Sequence, residues 1–142
     1  MNLDFENLNK CIRTLDNSMK LLEQSDPETE VYEVYRNAVV KGFELTLETS
    51  GKLLRKVLRD YAANPGTVSK MVFKDVLRQA ARHDILTPDE VGRWFSYREA
   101  RNETAHDYGE FLAENALSLV KDFLRDVEAL MDTLRRIRKE SQ

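Results

Sequence analysis

Between Ala113 and Ile137 the apolar residues recur at alternating steps of three and four without a break: Ala113, Ala116, Val120, Phe123, Val127, Leu130, Leu134 and Ile137. That spacing keeps the whole set on one face of an α-helix and on neither face of a strand, so it decides the local fold first. Leu117, Leu124 and Met131 widen the stripe. A stripe this wide exceeds what a two-stranded seam covers, so the helix, expected over 109–138, packs inside a bundle. The same period runs through Phe5, Leu8, Ile12, Leu15, Met19 and Leu22 and predicts a helix over 3–24.

A second helix is predicted from Pro27 to Ala63, with Asp26 as its cap and Pro27 at its first position. Its inward stripe reads Val31, Tyr35, Ala38, Gly42 and Leu45, continued by Leu53, Leu54, Val57, Leu58 and Tyr61. Glycine inside a helix costs about 1 kcal/mol against alanine unless close packing needs it. Gly42 is therefore a candidate contact point, and Gly51 marks a place where the rod can bend. Asn64-Pro65-Gly66 ends the element. A short helix over 69–83 follows, with His83 at its end. Thr87 and Glu90 then form a capping box, with Pro88 at the first position of another helix. Five Gly and three Pro leave little punctuation in 142 residues. The expected fold is all-α, a four-helix up-and-down bundle with an additional short helix, in a single domain over 1–142.

Several function classes fall away. No apolar run approaches the roughly 18 residues that span a bilayer, and Asp4 and Glu6 replace the basic start of a signal peptide. The single Cys11 cannot form an intrachain disulfide, so a reducing cytoplasm is expected. It has no His or Cys at ligand spacing, and the chain has no Gly-rich phosphate loop; no metal or cofactor is expected. The net charge of −3 hides an uneven distribution, because residues 49–82 carry eight basic and two acidic side chains. Lys52, Arg55, Lys56 and Arg59 form one basic stripe; Lys70, Lys74, Arg78 and Arg82 form a second. Each is either a solvated face or a surface for RNA phosphates or an acidic partner. No aromatic residues interleave the second stripe in the manner of a base-stacking platform, so base-specific readout is not indicated. Trp94, Phe95 and Tyr97 point in several directions and cannot all enter one core stripe, so at least one is expected at a subunit interface.

The chemistry concentrates in Arg101, Asn102, His106 and Tyr108, an R-N-x3-H-x-Y string. A guanidinium grips phosphate through paired hydrogen bonds, and an imidazole moves protons near neutral pH. On one straight helix Arg101 and His106 would stand about 140° apart. Either the chain bends between them or two copies share a site. Thr104 and Asp107 resemble a capping box and suggest a new helix near Thr104. The plainer alternative for Arg101 is an ion pair with a carboxylate of the second helix, Glu44 or Glu48. For His106 it is a satisfied junction histidine, for Asn102 a cap, and for Tyr108 an exposed phenol or a core edge.

The string resembles the R-x4-6-H signature of the HEPN superfamily, in the R-x4-H-x-Y form of its toxins. Phe43-Glu44-Leu45-Thr46-Leu47-Glu48, and Phe73-Lys74-Asp75-Val76-Leu77-Arg78-Gln79-Ala80 ahead of Trp94, resemble the nucleotidyltransferase substrate-binding branch of that superfamily. The likeness covers residues 5–125. It implies a HEPN-like bundle that pairs with a second copy of itself and with a separately encoded minimal nucleotidyltransferase. It also implies one of two activities. One is a non-catalytic subunit that binds a nucleotide or RNA substrate for the nucleotidyltransferase. The other is a metal-independent endoribonuclease in which His106 takes the proton of a ribose hydroxyl, Arg101 stabilises the transition state and Asn102 orients His106. By the same resemblance, Tyr108 matches the tyrosine that partner nucleotidyltransferases adenylylate. A helical dimer serving only as a scaffold is the remaining reading.

Overall fold

A computed structural model of the chain describes residues 4–104 and 116–140. Those residues form helices α1 (Phe5–Glu23), α2 (Glu30–Tyr61), α3 (Pro65–Lys70), α4 (Phe73–Arg82), α5 (Pro88–Thr104) and α6 (Ala116–Glu140). Helices α1, α2, α5 and α6 contact one another in a ring, and α2 touches all five others. This is the all-α bundle that the apolar periods demand. The predicted stripes of α1 and α6 are its walls: Leu8, Leu15, Val120, Phe123, Val127 and Leu134 are completely buried.

Three boundaries differ from the sequence reading. Asp26 does not cap α2. Its carboxylate accepts from Glu28 N at 3.0 Å in the preceding turn, and Thr29 caps the helix by accepting from Tyr32 N at 3.3 Å. Asn64-Pro65-Gly66 begins α3 rather than merely ending α2, because Asn64 accepts from Gly66 N and Pro65 occupies the first turn. The helix expected over 69–83 is two helices. Met71 and Val72 are extended (ψ 138° and 155°) and separate α3 from α4. The capping box at Thr87 and Glu90 is present in both directions, at 2.9 and 3.1 Å.

The inward face of α2 is also rotated from the expected one. Val39, Val40, Phe43, Leu47, Leu54 and Val57 are buried, whereas Val31 is 54% and Leu45 43% exposed. In the first turns Tyr32 and Tyr35 pack against the core while Val31 and Val34 meet solvent. Thr46 and Ser50 are buried among the hydrophobics because their hydroxyls donate back to the helix carbonyls of Gly42 and Leu47. The two glycines of α2 are packing points. A Cβ on Gly42 would lie 3.2 Å from Leu15 of α1, and one on Gly51 would lie 2.7 Å from the Phe73 ring of α4.

Candidate functional site

Helix α5 positions the chemistry, and it presents different faces to different neighbours. Trp94 and Tyr97, one turn apart, enter the core together and meet Phe123 of α6 edge to face at 5.7 and 5.1 Å. The sequence reading expected at least one of the three aromatics at a subunit interface. The two with i, i+3 spacing fit one core face, and only Phe95 is left half-buried outside it. Lys74 and Arg78 of α4 cover the Phe95 ring at 5.9 and 5.4 Å.

On the α6 side, Arg93 grips Asp126 through two hydrogen bonds of 2.8 and 2.9 Å, and the Tyr97 hydroxyl donates to the same carboxylate at 2.5 Å. Burial alone would push the Asp126 carboxyl up, but these hydrogen bonds outweigh it and hold the group below the usual carboxylate range. Burial, the hydrogen bond to Asp126 and the negative charge beside it push the Tyr97 phenol well above its ordinary value. Both oxygens of the buried Asp126 carboxylate are thus engaged, by Arg93 and Tyr97.

On the opposite side, α5 closes a cleft of about 480 Å³ against α2 and the start of α4. Its walls carry Glu44, Glu48, Lys52 and Arg55 from α2, Phe73 from α4, and Arg98 and Arg101 from α5. Arg101 reaches Glu44 at 3.6 Å, the α2 ion pair that the sequence allowed for it. Lys52 pairs with Glu48 at 3.3 Å along the helix. Arg55 turns inward and donates to the Val68 and Met71 carbonyls at 3.0 and 2.7 Å, tying the α3–α4 break to α2. Burial and the nearby Arg59 and Arg98 guanidiniums pull the Arg55 pKa below its ordinary value. Arg98 lies over the Phe73 ring at 5.8 Å.

The predicted site residues are therefore distributed. Arg101 lies in the cleft, and Asn102 is exposed beside it. His106 and Tyr108 lie outside the described residues, as does Asp107 of the capping box expected at Thr104. The second basic stripe is divided, because Lys70 ends α3 while Lys74, Arg78 and Arg82 follow α4. Lys74 meets Glu99 at 3.6 Å and Arg78 meets Asp75 at 2.7 Å, so half of the stripe is paired. The first stripe divides too: Lys56 is exposed, while the Arg59 side chain donates to Ser69 of α3 at 3.1 Å. Sequence reasoning missed Arg98. Its signal was available, since Arg98 is one turn before Arg101 and shares its face. Its meeting with Arg55 was not available.

The model of the family described as nucleotidyltransferase substrate binding protein like matches residues 3–136. The chain is 31% identical over 96 residues to a Haemophilus influenzae protein described as "Probable ribonuclease HepT"; the match spans 68% of this chain and 64% of that relative, under two thirds of its length. Two solved structures share the fold. A Haemophilus influenzae structure, described as revealing the fold of a substrate binding domain of a nucleotidyltransferase, superposes with a TM-score of 0.78 at 24% identity, over 93% of this chain and 99% of that one. A tri-AMPylated Shewanella oneidensis HEPN toxin in complex with MNT antitoxin gives 0.66 at 17% identity, over 96% and 99%.

Proposed function

We propose, from the premise that this chain belongs to the nucleotidyltransferase substrate binding protein like family, a branch of the HEPN superfamily, that it is the HEPN subunit of a two-component system. It partners a separately encoded minimal nucleotidyltransferase and holds that enzyme's substrate. The observation that best supports this reading is the cleft. It is concave and lined with cations, and Arg101 of the HEPN string sits on its wall already engaged by Glu44. Such a site suits binding and orientation. The exposed α4 cations Lys74, Arg78 and Arg82, and Lys70 at the end of α3, offer a contact surface for the partner or its substrate. The chain is expected to act as a homodimer.

Co-expression with a minimal nucleotidyltransferase tests the reading. The two proteins should purify together, and peptide mapping of this chain should find adenylate on Tyr108. A nucleotidyltransferase that is active yet neither retains nor modifies this chain would remove the proposal.

A second reading is favoured by the relative described as a ribonuclease. In it, Arg101, Asn102 and His106 cleave RNA without a metal. His106 removes the proton of a ribose hydroxyl, that oxygen attacks the adjacent phosphorus, and a cyclic phosphate and a free hydroxyl end result. Arg101 stabilises the charge that develops. Cleavage that survives EDTA and is lost in both Arg101→Ala and His106→Ala supports it; cleavage that persists in His106→Ala rules it out.

A further inference from the structure

The last turns of α6 carry four cations that the fold leaves without a counter-charge. Arg135, Arg136, Arg138 and Lys139 fall within about 160° of the helix circumference. Elsewhere Lys20, Lys74, Arg93, Lys121 and Arg125 each meet a carboxylate. Among the described residues no carboxylate pairs with any of the four. Asp132 and Glu140 in the same turns still leave two positive charges in excess. The helix dipole favours a cation in a last turn, but its C-terminal end carries only about half a negative charge and cannot answer this cluster. Arg136 and Lys139 are exposed. Arg135 and Arg138 are half-buried, with their guanidiniums over the ring of Phe5 in α1 at 5.5 and 4.8 Å. A guanidinium over an aromatic face keeps its in-plane N–H donors, the fork that matches a phosphate.

We propose that this end of α6 anchors the phosphate backbone of a structured RNA, with Arg135 and Arg138 held on Phe5 as a fixed base and Arg136 and Lys139 as the outer contacts. The proposal rests on the ribonuclease reading for its biological purpose. Three observations favour this ligand. Four cations spread over a convex helix suit phosphates spaced along a backbone better than one small anion. Phe5 is buried beneath its two arginines and offers no face to a base, so the contact is with phosphates and carries no sequence readout. The surroundings of Arg101 are unfavourable to a polyanion, because Glu44 and Glu48 line the same cleft and Glu99 stands on the same helix. Backbone affinity has to come from another part of the surface. Helix α5 runs toward the start of α6, since Arg93 meets Asp126 while Trp94 and Tyr97 meet Phe123. Arg101 therefore stands about 30 Å from the α6 end by helical rise. A stiff, base-paired RNA can bridge that span, so an RNA anchored at the α6 end can still present a phosphodiester at the other end of the bundle.

The test is the fluorescence anisotropy of a labelled RNA hairpin titrated with the full chain across a salt series, in a His106→Ala background so that no cleavage intervenes. Arg136→Gln combined with Lys139→Gln removes the two exposed cations and leaves the Phe5 contacts in place. It should weaken binding about tenfold and flatten the slope of log affinity against log salt by about two units, one per lost phosphate contact. Arg136→Lys combined with Lys139→Arg should keep the parent's affinity within about twofold, because the contact needs charge. Lys20→Gln, an exposed change near the opposite end of α1, should also stay within about twofold. An oligouridylate of the same length should bind severalfold more weakly than the hairpin. Absence of hairpin binding at micromolar protein in low salt, a salt slope unchanged in the double Gln variant, or equal affinity for the oligouridylate would overturn the proposal. So would poly-glutamate binding tighter than hairpin binding and lost in the same variant, which would assign the surface to an acidic protein. Hairpin binding that depends on Arg136 and Lys139, in a chain whose wild type cleaves no RNA, would defeat the ribonuclease reading and leave this anchor standing. Full cleavage by a double Gln variant whose hairpin binding is unchanged would defeat only the anchor.

Discussion

Arg93 and Arg98 are five residues apart on one helix, and the molecule uses them in opposite ways. Arg93 faces α6 and closes on Asp126 with two short hydrogen bonds, while Tyr97 fills the remaining side of the carboxylate. Arg98 faces α2 and α4, and finds Phe73 and the like charge of Arg55. Residue type and helix are the same in both cases; the difference is the neighbouring charge. Where a carboxylate faces it, a cation locks two helices together and its charge is answered within the chain. Where carbonyls and a ring substitute for the carboxylate, the cation keeps its long-range field and can still meet an anion. An arginine on a helical bundle is thus assigned to architecture or to binding by what faces it.

The comparison can be broken most severely at its shared foundation. Phe123 is completely buried and meets the rings of Phe43, Trp94 and Tyr97. Phe123→Ala should cost about 3–5 kcal/mol in urea unfolding and disturb both sides of α5 at once, because the cavity lies beneath the helix. Loss below about 1 kcal/mol would mean that α5 is not anchored there.

Asp126→Ala attacks the closed side alone. It strands the buried Tyr97 hydroxyl, and a stability loss of about 2 kcal/mol is expected. The loss should depend on pH. The Asp126 carboxyl is held below its ordinary range in the folded chain, so its contribution is present above the unfolded carboxylate's pKa and disappears as pH falls through the folded value. The gap between wild type and Asp126→Ala should therefore be widest at neutral pH and narrow below about pH 4. A gap that stays constant down to the acid limit would show that the carboxylate's charge is not what holds the network.

Tyr97→Phe sharpens the contrast further. It keeps the ring contacts and removes one hydrogen bond, so about 1 kcal/mol should be lost, with no change in substrate affinity. Arg98→Gln should give the mirror image. Its stability should stay within about 0.5 kcal/mol of the wild type, since no carboxylate is left unpaired, while its substrate affinity falls. An Arg98 variant that unfolds would place Arg98 with Arg93 as an architectural residue and erase the distinction.

Much of this was legible along the chain. The buried stripes of α1 and α6 and the Thr87–Glu90 box follow from spacings of three and four, which are local; Gly42 as a contact point follows from the cost of glycine in a helix, and the pairing of Arg101 with Glu44 was one of the alternatives that its charge left open. The inward face of α2 was not legible in its first half, because Val31, Val34 and Leu45 compete there with Val39, Val40 and Phe43, and only the neighbours decide which set is covered.

By itself, the sequence determined an all-α chain, the positions of its two outer walls and the existence of an R-N-x3-H-x-Y string near the end of a helix. Helical periodicity is a property of consecutive residues and needs no tertiary information. The tertiary structure alone decided that Met71 and Val72 break the third predicted helix, that Phe73 reaches Gly51, and that Arg55 and Arg98, 43 residues apart in the numbering, share one cleft. Each of these depends on which distant groups stand opposite: two carbonyls that draw the Arg55 guanidinium inward, a missing Cβ that admits a ring, and, among the described residues, a carboxylate that pairs with Arg93 and none that pairs with Arg98. Charge and contact are pairwise quantities, and the partner in each pair lies elsewhere in the chain.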